Sequence, residues 1–325
     1  MSNILECSSR GDKRYSALFA NVLVNLDGKE RFNSIEAHYQ NAKEFLDDSG
    51  NYVQASDWKE AKAWQKSGRK AVRVNIYGRI LPIDFLTYYY KLLWVKYLDA
   101  NPQLVEFAKQ FDDFTDMFKG NSKNCQADVI RQYVKQGRES ITNECQPLAM
   151  ALRGVLVREV IGDLMEAPEL VIGHQVNCLG VMGGGLAKLI KEAYPIVFNE
   201  YATLCKIGQK TRSLMGHCQF VEVPDESVGE LTLFSDPNIK PTLLRIVANL
   251  FGQHEIGTDQ KRTEETYLRK SIEVMKETAM QKGYSVALPY QLGSNLGGGN
   301  WEEIFGIIKE VFHDYPVTIY RLPNV

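Results

Sequence analysis

A glycine-rich stretch at residues 174–187 constrains the fold of this chain more than any other feature. An apolar segment, Leu170 to Ile172, leads into it, and an amphipathic segment, Leu186 to Tyr194, follows it. Glycine lacks Cβ, so the backbone can approach a ligand closely and adopt positive φ. Free N–H groups and the dipole of a following helix favour negative charge. The stretch therefore predicts a strand, a turn and a helix start that bind a phosphate-containing ligand; a tight turn without a ligand is the alternative.

From Gly154 onward, short β-branched segments alternate with helical ones, which predicts a layered α/β domain. A second glycine loop, at residues 293–299, follows one of the expected strands and precedes an expected helix. Two glycine loops at the ends of two strands can bind a diphosphate from both sides, and this pairing favours a ligand over an empty turn. The expected elements lie at 154–161, 170–177, 186–205, 218–223, 244–250, 264–281, 284–289, 301–312 and 317–322.

The first 145 residues are predicted to be mainly helical, after an extended apolar segment at 15–25 and a turn at Asp27-Gly28. Ser34 is expected to cap a helix. An acid, a phenol, an amide and an amine share one face of that helix, an unusual choice for a surface helix; an exposed face of ion pairs is the alternative. These residues are Glu36, Tyr39, Gln40 and Lys43.

Length and composition are those of a two-domain globular protein. At 325 residues the chain exceeds one ordinary core, and the polar break at 143–146 before Pro147 is the expected boundary. The net charge of −2 does not by itself indicate nucleic-acid binding. No long apolar run predicts a membrane span, and the N-terminus is unlike a signal peptide. Six scattered cysteines without a CxxC pair predict no metal site and no disulfide framework, so we expect a reducing cytoplasm.

The segment from Lys59 to Arg79 is locally basic, since its only acid is Glu60. Such a patch with aromatic neighbours suits a phosphate backbone or a pyrophosphate. A solvated helix face is the alternative. The residues at helical spacing and the nearby aromatics are Lys59, Lys62, Lys66, Lys70, Arg73, Trp58 and Trp64.

The glycine motifs resemble those of the macro domain, the ADP-ribose-binding α/β/α module, from about residue 154 to the end. The matching segments are Gly162 to Leu164, His174 to Cys178, Gly180 to Ala187, Val247 to Gln253, and Leu288 to Trp301. The resemblance implies that Asp163 accepts from the adenine amino group, that Asn177 lies at the distal ribose, and that the two loops bind the diphosphate. It implies ligand contacts from Asp163, Leu164, Asn177, Gly183, Gly184, Gly185, Leu186, Phe251, Gly293, Ser294, Asn295, Leu296 and Gly297.

Macro domains either bind ADP-ribose or also hydrolyse its derivatives. Members that remove ADP-ribose use a lysine after the central strand and an aspartate in the second loop. Gly252 and Gly297 stand at the corresponding places here, which argues against that mechanism. His174 lies where members acting on ADP-ribose 1''-phosphate carry a histidine, whose pKa near about 6.5 suits acid–base catalysis. A structural histidine at a strand end is the alternative.

The first 145 residues resemble the NADAR family, helical glycosidase-like domains associated with ADP-ribose chemistry. The matches are Ser34 to Lys43, close to the family's S-x-E-H-Y-Y-Q-A-x-K, Glu60 to Arg69, and Tyr97 to Leu104. The family's Asp-x-x-Trp-Gly motif is matched at best by Asp116 to Gly120, without the tryptophan. The family cleaves N-glycosidic bonds through an oxocarbenium-like state that a carboxylate can stabilise. The resemblance implies that Glu36 is catalytic, with Lys43 and Asp116 in support.

The sequence therefore predicts an α+β two-domain protein, with a mainly helical NADAR domain at 1–147 and an α/β/α three-layer macro domain with a mixed central sheet at 152–325. The NADAR half would cleave ADP-ribose from a nucleobase, such as guanine in DNA, and the macro half would bind or process ADP-ribose. That activity would fit an antitoxin or a counter-defence protein. The expected partners are ADP-ribose or an ADP-ribosylated nucleobase, and nucleic acid on the N-terminal domain; no cofactor and no membrane are expected.

Three alternatives stay open at this point. The macro half could serve only to capture ADP-ribose, or it could act as an ADP-ribose 1''-phosphate phosphatase. The NADAR half could cleave a small N-glycoside of the riboflavin pathway, without nucleic acid. The basic segment at 59–79 favours a polyanion over a small neutral substrate.

Overall fold

The chain divides into two compact units, Met1–Val155 and Leu156–Val325. The boundary expected between residues 147 and 152 falls inside a helix, Gln146–Leu152, that packs within the first unit. Pro147 stands in the first turn of this helix, where its missing N–H costs nothing, so it begins a helix instead of ending a domain. The computed structural model describes residues 3–116, 125–208, 211–225 and 243–323.

The first unit contains more strand than its sequence suggests. Its described strands are β1 (Ile4–Glu6), β2 (Asn21–Leu26), β3 (Lys29–Ser34), β4 (Lys43–Leu46), β5 (Tyr52–Val53), β6 (Ala71–Ile76), β7 (Arg79–Leu81) and β8 (Asp113–Thr115). Strands β2 and β3 form a hairpin around the expected turn at Asp27-Gly28, where both residues have positive φ. Strands β5, β4, β6 and β7 form an antiparallel sheet in that order, and β1 pairs with β8.

Helices supply most of the regular structure of the first unit. The described ones are α1 (Ile35–Asn41), α2 (Trp58–Lys66), α3 (Phe85–Asp99), α4 (Pro102–Ala108), α5 (Gln126–Gln136), α6 (Arg138–Glu144) and α7 (Gln146–Leu152). Helix α3 is the central one, because α1, α4, α5, α6, α7 and β2 all pack against it. Its apolar residues lie on all sides, as expected for a helix surrounded by protein.

The second unit is built on one six-stranded sheet. Its described elements are β9 (Val157–Ile161), β10 (Val171–Val176), α8 (Gly185–Ala193), α9 (Pro195–Ile207), β11 (Cys218–Pro224), β12 (Leu243–Phe251), α10 (Glu265–Lys282), β13 (Val286–Pro289), α11 (Trp301–Val311) and β14 (Val317–Arg321). The strand order is β11-β12-β10-β13-β14-β9, and only the edge strand β11 is antiparallel to its neighbour.

Helices cover both faces of this sheet. Ile172 of β10 shares a core cluster with Ile190 of α8 and Val197 of α9. The next residue, Gly173, points to the opposite face, where a Cβ would meet Met275 of α10. Because the carboxyl ends of parallel strands lie at one edge of the sheet, the loops after β9, β10, β12 and β13 lie along that edge.

Three further features concern disulfides, membrane spans and metal sites. All six cysteines are free thiols. Within the described ranges, no helix is long and apolar enough to cross a membrane. The same ranges hold no group of three or more His, Cys, Asp and Glu side chains placed to bind a metal ion.

Candidate functional site

Glu36 lies in the first turn of α1, which Ser34 caps by accepting a hydrogen bond from Ala37 N over 3.2 Å. Lys62 Nζ of α2 lies 2.6 Å from Glu36 Oε1, and Gln40 Nε2 donates to the same oxygen over 3.0 Å. The Glu36 side chain is 13% exposed. A cation and an amide thus fix one carboxylate oxygen, and Oε2 is the oxygen that can face a substrate.

Lys43 is buried beside this carboxylate. Its Nζ donates to Gln40 Oε1 over 2.8 Å and to Gln65 Oε1 over 3.0 Å, and it lies 4.1 Å from the ring centre of Tyr39. Burial lowers the pKa of Lys43 to about 8, although the charge of Glu36 opposes that shift. A sizeable fraction of this amine is therefore neutral just above neutral pH.

The backbone that places Lys43 differs from the expected one. Helix α1 ends at Asn41, and Lys43 is the first residue of β4. The expectation that one helical face carries all four polar residues is therefore wrong for Lys43. Its side chain nevertheless reaches Gln40, because the chain turns directly after the helix and Ala42 N still bonds to His38 O.

The Glu36–Gln40–Lys43 chain links an acid and an amine through one amide. Gln40 donates to Glu36 and accepts from Lys43, so its two polar atoms are both used. A carboxylate can stabilise a cationic centre or activate water, and an amine with a pKa of about 8 can transfer a proton near neutral pH. A carboxylate beside a proton donor is an arrangement that can assist cleavage of a glycosidic bond.

The basic segment is only partly helical. Helix α2 ends at Lys66, and Gly68 follows with φ of 92°, a turn that favours glycine. Lys70 therefore lies before β6 and Arg73 within it, and the expectation that both continue the helical patch is wrong. Arg73 Nε donates to Glu44 Oε2 over 2.6 Å in a buried ion pair. The basic residues that stay on α2 are Lys59, Lys62 and Lys66.

Asp116, the third catalytic candidate of the first unit, is buried. Cys125 Sγ donates to its Oδ2 over 2.8 Å, and burial together with this carboxylate raises the pKa of Cys125 to about 12. Residues 117–120 of the motif that Asp116 begins lie outside the described residues. The contact with Cys125 places Asp116 at the start of α5.

In the second unit, Asp163 directly follows β9 at the edge where the parallel strands end. Its Oδ1 caps a short 3-10 turn by accepting from Met165 N over 2.8 Å, and the residue is exposed. The other carboxylate oxygen can accept from a ligand amine. Leu164 is buried in the core below, so it anchors the turn that presents Asp163.

Asn177 shapes the loop after β10. Its Oδ1 accepts from Leu179 N over 2.9 Å and from Tyr201 Oη over 2.9 Å, and its Nδ2 donates to Val181 O over 2.6 Å. Phe251, expected at the ligand, is fully buried, and its ring packs on that of Tyr201. This burial makes Phe251 a core support of the Asn177 loop, and its expected ligand contact stays a prediction.

The two predicted glycine loops meet in the structure. Gly183 and Gly184 precede α8, and Gly185 begins it, so the first N–H groups of this helix lack helical acceptors. A Cβ added to Gly184 would lie 3.1 Å from Leu296 Cδ1 of the second loop. Leu296 is 53% exposed above this junction. The neighbouring residues of the two loops are Leu186, Ser294 and Asn295, of which Leu186 packs against the core cluster.

A partly buried polar network, which the sequence did not reveal, holds the second loop in place. Gln175 Nε2 donates to Gln253 Oε1 over 2.6 Å and to Thr263 Oγ1 over 2.8 Å. Thr263 Oγ1 donates to Gly293 O over 2.6 Å. Thr263 N also donates to Gly297 O over 2.9 Å. The available signal was Gln175, a second polar residue directly after His174 in a strand whose other residues are Val, Ile and Gly.

Comparison with known proteins assigns both units. The family model described as DarT1-associated NADAR antitoxin matches residues 1–149. A DNA ADP-ribosyl glycohydrolase of Mycobacterium tuberculosis is 29% identical over 155 residues, which make up 48% of this chain and 38% of that protein. Residues 1–149 match the NADAR domain of that family, and the second unit is similar to macro domains and is called the macro domain hereafter. The matched stretch thus spans well under half the length of that glycohydrolase.

Further relatives of the macro domain are known. An ADP-ribose 1''-phosphate phosphatase of Scheffersomyces stipitis is 26% identical over 183 residues, covering 51% of this chain and 99% of that protein. The macrodomain of Thermus aquaticus DarG is 25% identical, covers 51% of this chain and 97% of that chain, and gives a TM-score of 0.39. The structure of Thermosipho africanus DarTG in complex with ADP-ribose is 23% identical. The match covers 52% of this chain and 42% of that chain, with a TM-score of 0.41.

Within the macro domain, packing explains the glycines at positions 252 and 297. A Cβ at Gly252 would lie 2.7 Å from Gln175 Oε1. A Cβ at Gly297 would collide with Thr263 Oγ1. A lysine or an aspartate at either place would therefore displace the Gln175 network.

His174 of the macro domain is buried in the middle of the sheet. Its Nε2 lies 2.7 Å from Asn249 Oδ1, and since an amide oxygen only accepts, Nε2 carries the proton. Burial lowers the pKa of His174 to about 4, against the opposing effect of Asn249. A buried, neutral imidazole fits the alternative in which His174 has a structural role.

The depressed pKa makes His174 a source of acid sensitivity. In the unfolded chain His174 takes up a proton below about pH 6.5, and in the folded chain only below about pH 4. The contribution of His174 to the free energy of unfolding is therefore present above pH 6.5 and is lost as the pH falls toward 4. Between pH 7 and pH 5 the loss is about 2 kcal/mol. We expect His174→Gln to reduce the difference in Tm between these pH values, measured by scanning calorimetry of the full chain.

His313 provides the matched control, because its side chain is 70% exposed. The His313→Gln variant should keep the wild-type difference in Tm. An unchanged difference in His174→Gln would show that other groups cause the acid sensitivity.

Proposed function

We propose that this chain is a hydrolase of ADP-ribosylated nucleobases, in which the NADAR domain cleaves the N-glycosidic bond and the macro domain binds ADP-ribose. The observation that carries the proposal is the Glu36–Gln40–Lys43 chain, a partly exposed carboxylate coupled to a buried amine. The antitoxin family and the relative named DNA ADP-ribosyl glycohydrolase support DNA as the substrate. Guanine as the modified base, and an antitoxin or counter-defence role, belong to the same proposal.

The proposed reaction uses the cluster as follows. As the base departs with the bonding electrons, positive charge develops on the ribose, and Glu36 stabilises that charge or removes a proton from the attacking water. The departing base needs a proton, and Lys43 supplies it, since an amine with a pKa of about 8 is mostly protonated at pH 7 and releases the proton readily. The family resemblance adds Asp116 to the proposal as a supporting carboxylate.

A nucleic acid substrate is supported by the surroundings of Glu36. Lys62 Nζ lies 2.6 Å from the carboxylate and 5.3 Å from the ring centre of Trp58. Lys59 and Lys66 are exposed on the same helix. A basic helix that carries an aromatic ring and contacts the Glu36 carboxylate through Lys62 suits a phosphate backbone and favours a polyanion over a small riboflavin-pathway N-glycoside.

The macro domain is proposed to bind ADP-ribose at the edge where Asp163, the Gly183 to Leu186 turn and the Gly293 to Gly297 loop lie. Asp163 would accept from the adenine amine, and the loop N–H groups would bind the diphosphate. The second candidate function, hydrolysis of ADP-ribose 1''-phosphate, is favoured by the phosphatase that matches over 99% of its length. The buried, neutral His174 argues for binding.

Glu36→Gln should slow the release of ADP-ribose from guanine-modified DNA oligonucleotides by about a hundredfold or more, because an amide neither stabilises a cation nor takes a proton. Release is measured by chromatography under single-turnover conditions. Glu30→Gln is the control, since this carboxylate is exposed on β3, and it should retain the wild-type rate. Wild-type release by Glu36→Gln would contradict the glycosidase proposal.

The rate of release should fall as the pH rises through about 8, because the Lys43 ammonium that protonates the leaving base is lost there. Lys43→Arg keeps a positive charge but holds its proton too tightly to transfer it. This variant should therefore be slow at every pH and lack the step near pH 8. A wild-type profile that is flat from pH 7 to pH 9 would exclude Lys43 as the proton donor.

Gly184→Val should weaken ADP-ribose binding by about tenfold or more, because a side chain there enters the junction with Leu296 and separates the two loops. Binding is measured by calorimetric titration of the full chain. Gly306→Ala is the control, since a Cβ at Gly306 of α11 meets nothing within 4 Å. Unchanged affinity in Gly184→Val would place the diphosphate elsewhere. Glu36→Gln should not change this affinity.

A further inference from the structure

The NADAR domain contains a cavity of about 250 Å³ that the proposed reaction does not use. It is lined by β3, the end of α1, the segment after β5 and the turn between β6 and β7, and neither Glu36 nor Lys43 lines it. Its volume lies below the range of about 300 to 1,000 Å³ of pockets for drug-sized ligands. The cavity therefore suits a single ring system.

The lining is rich in carboxamides. Arg31 supplies the only formal charge at pH 7 among the described residues of the lining, since none of them is an acid or a lysine. Carboxamides form paired hydrogen bonds with the edges of nucleobases, and arginine binds phosphate. This chemistry fits a neutral planar heterocycle joined to an anion. The lining residues that carry the argument are Arg31, Asn33, Asn41, Gln54, Asn75 and Tyr77.

Two of these amides form the wall and two remain for a ligand. Gln54 Nε2 donates to Asn41 O over 2.7 Å, and Asn75 is held by Glu44 and by Gly78 N. The side-chain amides of Asn33 and Asn41 are on exposed residues and make no hydrogen bond to any other described part of the chain. Arg31 and Asn33 are two positions apart on β3, so their side chains lie on the same face of the strand.

The aromatic wall is built at a conformational cost. Tyr77 has φ of 55° in a two-residue turn with Gly78, at a position where asparagine or glycine is usual. A bulky residue is strained in this conformation, and such strain is concentrated at ligand sites. Tyr77 Oη lies 2.8 Å from His38 Nδ1, and His38 Nε2 lies 3.0 Å from Val22 O. Because a carbonyl only accepts, Nε2 carries the proton and Tyr77 donates to Nδ1.

This hydrogen-bond chain fixes the ring of Tyr77. Tyr89 donates to Tyr77 Oη, so the phenol is held from both sides. Burial lowers the pKa of His38, which keeps the imidazole neutral and the direction of the chain unchanged at neutral pH. The strained Tyr77 is thus a rigid wall of the cavity.

We infer that this cavity binds an unmodified nucleobase that neighbours the modified one in single-stranded nucleic acid, with the adjoining phosphate on Arg31. The inference rests on the proposed action of the NADAR domain on nucleic acid. Glu36 and Asn41 stand five residues apart on α1, which is about 7.5 Å at 1.5 Å per residue. Helix α1 therefore carries one residue of the proposed catalytic site and one residue of this cavity. Asn33 and Asn41 contact the base edge, and Tyr77 and Ala42 enclose it.

The test uses the full chain with fluorescein-labelled unmodified DNA octanucleotides, followed by anisotropy. The Asn33→Ala/Asn41→Ala double variant should bind about tenfold more weakly than the wild type, and Arg31→Ala should reduce the salt dependence of binding by about one phosphate contact. Asn25→Ala, an exposed asparagine on β2, is the control and should bind normally. Equal binding of the octanucleotide by the double variant and the wild type overturns the inference.

A second comparison separates the strand from a free nucleotide. With an ADP-ribosylated octanucleotide, the double variant should show a raised KM and an unchanged kcat, whereas with ADP-ribosylated guanosine it should match the wild type. If the octanucleotide is not bound and free dAMP or dGMP is, the cavity takes mononucleotides and the placement along a strand is overturned. The two proposals can fail separately. If binding of the octanucleotide depends on Asn33 and Asn41 but the Glu36→Gln variant still releases ADP-ribose, this base site stands and only the proposed catalysis is rejected.

Discussion

The burial of Lys43 beside Glu36 is the constraint on which the NADAR domain depends. An ammonium taken out of water is costly unless it is hydrogen-bonded and paired. Two glutamine oxygens and the Tyr39 ring offset part of that cost, and the lowered pKa of Lys43 shows that a part remains. The remaining cost is relieved when the amine loses its proton. The fold thus keeps in place a group that changes its charge near neutral pH.

The macro domain depends on a different interaction, the amide of Gln175. Its side chain joins Gln253 and Thr263, and through Thr263 it fixes the loop that begins at Gly293. A side-chain amide, not a strand or a helix, therefore sets the shape of this loop. The amide also fills the space that a Cβ at Gly252 would take. Glycine at that position is thus as much a packing requirement as a feature of ligand binding.

The alternation of strands and helices in the macro domain was predictable, because long amphipathic helices and β-branched strands give strong periodic signals. The short strands of the NADAR domain were not, since segments such as Tyr52–Val53 are too brief to show a period. The spacing of Glu36 and Gln40 placed these two side chains on one face of a helix, but it could not show that Lys43 leaves the helix. The Gln175 network joins residues up to 88 positions apart, which no local pattern reveals.

The distribution of titratable groups favours placing bond cleavage in one domain and ADP-ribose binding in the other. Cleaving a glycosidic bond requires groups that gain and lose protons, whereas binding a diphosphate requires fixed N–H donors. From Gln175 to Ala187 and from 293 to 299 the macro loops hold one titratable side chain, Cys178, and burial raises its pKa to about 11. These loops offer donors that do not change with pH. Lys43, whose pKa lies near 8, belongs to the NADAR domain, and this supports placing bond cleavage there.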